Sequence, residues 1–277
     1  MLTRRFATLC LLTAFVLLCP GWARAGAFEY ELQGWGTVAR GGANVAHVSD
    51  PSALYLNVAG IGKLDDVQVL LDTNIVFLSA SVQLMGNSDP LTGRSLDAWG
   101  VDGEVIPYPR AENTDPPFLG PMVAGSFGVP GVEGLVLGLG VFGPAAVGNY
   151  TFPRLVTVDT EGGTARLPGP QRYDLVRERV LFFWPTLALA YRVSPKLVVG
   201  MGFQWGVIDL EYSIVGSVAR VRSPTSYASD FVSQVHAVDP FVPAMIFGVQ
   251  YSPVPFLELG LSLRVSDPIR AEAKDVK

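Results

Sequence analysis

Residues 196–208, KLVVGMGFQWGVI, alternate with a period of two. Odd positions carry Leu197, Val199, Met201, Phe203, Trp205 and Val207, while even positions carry Lys196, Val198, Gly200, Gly202, Gln204, Gly206 and Ile208. One face is continuously large and apolar, and the other is mostly small or polar. That period predicts a β-strand, because successive side chains of a strand point to opposite faces. The pattern returns in Leu257, Leu259, Leu261, Leu263 and Val265, opposed by Glu258, Gly260, Ser262 and Arg264. It returns again in Leu135, Leu137, Leu139 and Val141, with Gly138 and Gly140 on the other side. Leu181, Phe183, Leu187, Leu189, Tyr191 and Val193 form another row. Weaker alternation over 67–78, 121–129 and 241–251 brings the expected total to about seven strands.

The glycines choose the architecture. A soluble sandwich buries the large face and puts charge on the other. Here three glycines occupy the second face of one strand, where they add neither packing nor solubility. In a transmembrane barrel the large residues meet lipid, and small ones leave room for a lumen or for something packed inside it. The apolar band 197–207 matches the roughly 9–11 residues a tilted strand needs to cross a bilayer. Asp209 and Glu211 follow, where such a strand leaves the membrane. Short turns at 129–131, 194–195 and 252–255 face long polar connections at 86–117, 144–178 and 213–239, the asymmetry of outer-membrane barrels. Trp184, Trp205, Tyr191 and Tyr251 are expected near strand ends, as an aromatic girdle.

Composition fits an exported chain of one of two classes, a soluble all-β secreted protein or a transmembrane β-barrel. Hydrophobic residues make up 49% and charged residues 16%. No apolar run of about 18 residues follows the N-terminus, so membrane-spanning helices are not expected. Residues 1–25 combine Arg4 and Arg5, an apolar stretch and Ala23-Arg24-Ala25, which together read as a cleaved signal peptide. A lipoprotein reading through Cys19 fits poorly, because small residues should flank its cleavage point. Cys10 and Cys19 both lie in this leader, so the mature chain has no thiol or disulfide chemistry. Losing Arg4, Arg5 and Arg24 moves the formal charge from −5 to −8, and no basic stripe remains to hold nucleic acid.

Catalytic chemistry is not expected. The only histidines are His47 and His236, so a His/Cys metal site cannot be assembled, and His47 reads as a structural hydrogen-bonding group. Residues 138–143, GLGVFG, match a dinucleotide fingerprint in form. Pro144 follows and no helix pattern opens, so a phosphate finds no helix N-terminus. No catalytic residue, metal or cofactor is assigned.

Residues 40–64, RGGANVAHVSDPSALYLNVAGIGKL, do not alternate. Asp50 is a good N-cap and Pro51 a good first helical residue, which predicts a short helix over 51–56 stopped near Gly60. Gly41-Gly42-Ala43, the run DPSALY at 50–55 and Asn57-Val58-Ala59-Gly60 resemble the FadL-type long-chain fatty acid transport family of outer-membrane proteins. There the segment reads like GGA followed by DPSALYWNPAG and forms a hatch inside the barrel. Residues 180–202 and 243–264 share the family's strand-turn-strand texture. The resemblance covers most of the mature chain, but only the hatch motif is specific. Two positions depart from it: Leu56 stands for tryptophan, and Val58 for a proline that would fix the backbone and remove a donor.

The resemblance implies an all-β fold, an antiparallel transmembrane barrel (67–277) around a hatch with short helices (26–66). Its hatch motif is Asp50, Pro51, Asn57, Val58, Ala59 and Gly60. It implies passive uptake of hydrophobic small molecules, such as long-chain fatty acids, across the bacterial outer membrane. Outer-membrane lipid and the barrel-assembly machinery are the implied partners. Phe118, Tyr150, Phe152, Tyr173, Phe182 and Phe183 are candidate ligand contacts by composition. The alternatives are a non-transporting barrel acting as scaffold or secretion shuttle, and a soluble exported β-sandwich. Single-chain bacterial barrels have even strand numbers. About seven strands are half of the roughly fourteen that the resemblance implies, within known barrel sizes. The chain is therefore expected to be the N-terminal part of a longer barrel, or a split or truncated one. Its sheet should be open, the hatch should lie against a concave glycine-rich face, and the unpaired edges should be 67–78 and 256–265.

Overall fold

The computed structural model describes residues 34–64, 66–83, 98–101, 104–143, 149–218 and 228–276. The expected signal peptide and both cysteines lie outside them. Seven strands follow the chain order across one antiparallel sheet. They are β1 (Gln68–Val76), β2 (Phe118–Gly128), β3 (Leu135–Phe142), β4 (Arg177–Ser194), β5 (Leu197–Ser217), β6 (Asp230–Val254) and β7 (Leu257–Ser266). The connections at one end are short. Gly131 and Gly134, at φ 80° and 79°, supply the left-handed backbone of the β2–β3 turn, which residues with a Cβ rarely adopt. Pro195 and Lys196 alone join β4 to β5.

Register lines up the small residues. Ser126, Gly138, Ala188 and Gly202 form one row across β2 to β5, which continues into the larger Ile246 and Arg264 of β6 and β7. Ala190, Gly200, Gly248 and Ser262 form the next, across β4 to β7. Against this inner face lies the N-terminal segment: α1 (Trp35–Ala39), α2 (Ala53–Leu56) and a 3-10 turn, Val58–Lys63. A Cβ on Gly200 would come within 2.8 Å of Ala59 N and Val58 C, and one on Gly248 within 2.7 Å of Ala59 N. On Gly138 it would meet Leu54 and Ile61. Leu54, Val58, Ala59 and Ile61 are buried there together with Phe142, Trp184, Ala188 and Ala190 of the sheet. The core is thus a backbone-close contact between segment and wall.

The outer face carries the large apolar rows. Leu187, Leu189, Met201, Phe203, Trp205, Leu261 and Leu263 are all exposed, Leu261 by 67%. A continuous apolar surface of this kind is unsuited to water and suited to hydrocarbon. β1 and β7 end the sheet and do not pair with each other among the described residues, as the alternation predicted. Residues Glu272–Val276, beyond β7, pair back onto β6.

Three expectations need correction. Much of the 213–239 connection is strand, because β5 runs to Ser217 and β6 starts at Asp230. Polar and apolar residues are mixed on both faces there, so the period of two carries no hydrophobic signal. Within 86–117 and 144–178 lie the paired strands Ala98–Val101 with Glu104–Pro107 and Leu155–Thr160 with Gly163–Pro168. The predicted helix begins at Ala53, because Asp50 Oδ1 accepts from Ser52 N at 2.8 Å and closes a turn first. Trp184 does not belong to a girdle. It shares parity with Phe182, Thr186 and Ala188, faces inward and is buried. Trp205 does face outward, edge-on to Phe241 at 5.3 Å, with its indole N–H donated to Pro240 O.

Replacing Gly248 by valine should unseat the segment, since overpacking of this kind costs about 1–3 kcal/mol. Tryptic cleavage after Arg40 should accelerate by roughly tenfold or more, with strand content by circular dichroism unchanged. Gly162, where an added Cβ meets nothing within 4 Å, is the control and should tolerate alanine.

Candidate functional site: the seated segment and an outer groove

The wall holds the segment mainly through its backbone. Arg192 donates from Nε and Nη2 to Gly62 O at 3.2 and 3.0 Å. Gln250 Nε2 donates to Val48 O and Val45 O, and Arg264 Nη2 to Tyr55 O at 3.2 Å. Asn57 works in the other direction: its Nδ2 donates to Val45 O and to Val249 O of β6, while its Oδ1 caps Ala59 N. His47 Nδ1 meets Glu258 Oε2, and Lys63 lies 3.6 Å from the same carboxylate. The structure thus brings Pro51, Asn57, Val58, Ala59 and Gly60 into the buried contact, with Asp50 shaping the turn before it. Val58 is the first residue of the 3-10 turn, with Asn57 as its cap. That is the position where a proline loses no helical hydrogen bond.

Next to the segment, the inner wall holds an aromatic and polar cluster. Tyr55 packs on Phe142 at 5.6 Å, and Phe182 on Trp184 at 4.7 Å. The Arg264 guanidinium sits 4.8 Å from the Tyr55 ring centre and 5.1 Å from that of Trp184. Gln204 Nε2 donates to Thr186 Oγ1 at 3.1 Å.

At the far ends of the long strands, a groove of about 270 Å³ is lined by Leu155, Pro168, Val215, Phe231 and Val232, with Arg154, Arg172 and Asp230. One network fixes its floor. Arg172 Nε donates to Asp230 Oδ2 at 2.8 Å, Tyr173 OH donates to Asp230 Oδ1 at 2.7 Å, and Arg172 Nη2 donates to Tyr173 OH. The Arg172 and Asp230 side chains are only 3% and 8% exposed. Burial opposes ionisation of Asp230, but the hydrogen bonds from Tyr173 and Arg172 and the arginine charge outweigh it and hold its pKa below the ordinary value. Burial, reinforced by the bond to Asp230, raises that of Tyr173. At the opposite end, a polar cavity of about 800 Å³ is lined by Lys63, Arg192, Lys196 and Glu258, among others.

The aromatic candidates separate. Tyr173 joins the groove network, and Phe182 faces the inner cluster. Tyr150 and Phe152 stack on each other at 6.5 Å. Phe118 begins β2 opposite Val76, and Phe183 lies on the outer side of β4 against Gly143. Sequence reasoning missed Phe231, Val232, Val215 and the Arg172–Asp230 pair, because they lie where no periodicity marks a face. Gln204 and Arg264 were visible as large polar residues in rows of glycine and serine, a signal that was there to use.

No protein-family model and no curated protein sequence matches the chain. Among solved structures, the crystal structure of a Pseudomonas aeruginosa FadL homologue matches with a TM-score of 0.55 at 15% identity. The match covers 86% of this chain and 52% of the homologue. The chain has a FadL-type fold. It spans about half the length of that homologue, and its open antiparallel sheet is consistent with an incomplete barrel of this type.

Replacing Asp230 by asparagine should strand Arg172, a loss of about 3–5 kcal/mol for a buried pair. A carboxyl whose folded pKa is depressed stabilises fully above its unfolded value, near 3.9, and loses that contribution as pH falls through the folded value. Amide exchange over 169–176 should therefore stay slow at neutral pH, accelerate below about pH 4 in the native protein, and be fast at all pH values in Asp230→Asn.

Proposed function

We propose that this protein takes up hydrophobic small molecules, long-chain fatty acids among them, passively across the bacterial outer membrane. In this reading residues 1–25 direct export and residues 26–66 are the hatch of the 67–277 barrel. Outer-membrane lipid surrounds the outer face, and the barrel-assembly machinery inserts it. The observation that carries the reading is the pairing, on a FadL-type fold, of an apolar outer groove with an inner wall closed by a segment held mainly through its backbone carbonyls.

Each part has a physical role. Apolar compounds cross a lipopolysaccharide leaflet poorly, and Phe231, Val232, Val215 and Leu155 offer them a first dry surface. The seated segment blocks a straight aqueous path, so the barrel does not leak when empty. Cargo leaves inward past the segment, or sideways through the wall. Pro185 favours the sideways route: the β4–β5 ladder is interrupted between Phe183 and Thr186, and proline donates no ladder bond. No catalytic group is required.

Purified protein in detergent should bind oleate and alkyl aromatics saturably. Phe231→Ser should weaken both by roughly threefold to tenfold, the loss of one half-exposed apolar contact that cargo would cover. Linear, non-saturable uptake of every probe by the native protein would end the uptake reading.

A further inference from the structure

We infer that Glu178, at the outer end of the inner wall, is a charge filter that admits uncharged and cationic amphiphiles in preference to anionic ones. The inference rests on the uptake reading and adds to it a selectivity and the residue that imposes it. Glu178 shares the parity of Val180, Phe182 and Trp184 on β4 and therefore faces inward. Its neighbours in the register are Tyr150, of the short strand Asn149–Thr151, and Tyr212 of β5. It is half-buried, and among the described residues its carboxylate has neither an ion pair nor a hydrogen bond. Burial pushes its pKa above the ordinary value, with no neighbouring cation to pull it back. An inward carboxylate left without a partner calls for an explanation.

Its position provides one. Val215 of the outer groove lies three residues beyond Tyr212 on β5, roughly 10 Å at the rise of a strand. In the other direction the rows Val180–Leu210 and Phe182–Ile208 are apolar and lead down to the buried core. Glu178 therefore stands on the wall between two apolar surfaces. The charges around it are engaged elsewhere or turned away. Arg172 is bound to Asp230, and Arg154 belongs to the groove beyond. Arg177 and Arg179 have the opposite parity and lie on the outer face, where Arg177 is 3.6 Å from Glu211. Asp209 and His236 meet each other on that same outer face. Asp174, whose carbonyl accepts the Tyr212 hydroxyl, adds to the negative field.

A cargo moving between the two apolar surfaces carries its head group past this carboxylate. Charges in a partly desolvated mouth interact about four times as strongly as in water. An anionic head group is repelled there, an ammonium is attracted, and a hydroxyl can donate a hydrogen bond. The neighbouring tyrosines suit a cation as well. A fatty acid passes best as the neutral acid. The selectivity belongs to the ionised form of Glu178, so it is present above the raised pKa and fades as pH falls through it.

The test uses decyltrimethylammonium, decanol and decyl sulfate, of equal chain length and fixed charge, in equilibrium binding to the full chain in nonionic detergent at low salt. At neutral pH the native protein should prefer the ammonium to the sulfate. Glu178→Gln, nearly isosteric, should cut that ratio by about tenfold, the combined loss of one attraction and one repulsion, and leave decanol binding unchanged. Glu178→Lys should invert the preference, which a merely structural role would not do. Asp159→Asn, which removes an exposed acid from the outer hairpin, should keep the native ratio. Lowering the pH to about 4 should bring the native ratio down to that of Glu178→Gln. Strand content and tryptic resistance confirm folding of each variant. Equal ratios in the native protein and Glu178→Gln at neutral pH overturn the filter, while saturable decanol binding keeps the uptake reading. Absence of saturable binding of all three probes to the native protein overturns the uptake reading and the filter together.

Discussion

A backbone-close contact governs this structure: the turn at Asn57–Ala59 lies directly on glycines 200 and 248 of β5 and β6. An irregular backbone approaches a sheet this closely only where the sheet has no side chain. The requirement places Ser126, Gly138, Ala188 and Gly202 in one row across β2 to β5 and Ala190, Gly200, Gly248 and Ser262 in the next across β4 to β7, both perpendicular to the strands. It also explains how a strand can lose propensity at several positions and still form. Glycine costs strand stability, and burial of Leu54, Val58 and Ile61 against the wall offsets that cost. Segment and sheet specify one another.

The opposite face obeys a different constraint. Hydrocarbon accepts no hydrogen bonds, so backbone groups must pair within the sheet and outward side chains must be apolar. The long strands meet both conditions over the stretch from Leu197 to Trp205, with the outward Trp205 and Phe241 marking one boundary. Beyond it the same strands continue into water and carry the Arg177–Glu211 ion pair and the His236–Asp209 contact, together with the buried Arg172–Asp230 network. One strand thus serves lipid, a packed segment and an aqueous loop region in turn, according to what its side chains permit.

Legibility in the sequence followed the same division. The strands were readable wherever lipid imposes one large apolar face, as in Leu257 to Val265, and the two sheet edges could be named from that alone. The seating of the segment was readable from glycines at alternate positions and from the DPSALY and Asn57–Gly60 runs. The groove was not, since Leu155 comes from one connection and Val215 and Phe231 from the strand ends within another, and they converge only in three dimensions. Trp184 was misplaced because its size suggested an interface, although its parity with Thr186 and Ala188 already pointed it inward. Parity was the better guide. Arg264 and Gln204 carried a similar message, since a large polar residue on a glycine face needs a partner to meet.

The most direct measurement is magic-angle-spinning NMR of uniformly 13C-labelled protein in lipid bilayers. It leaves every residue in place and reports both faces of one strand at once. Carbon–carbon cross-peaks should join Gly248 Cα to the backbone of Asn57 through Ala59, and Gly200 Cα to Val58 and Ala59. The side chains of Met201 and Phe203 should receive magnetisation from lipid acyl protons in the same sample. Acyl-chain or water contact at Gly200 and Gly248, with no cross-peak to the segment, would contradict the account, because the glycine rows would then have nothing to accommodate.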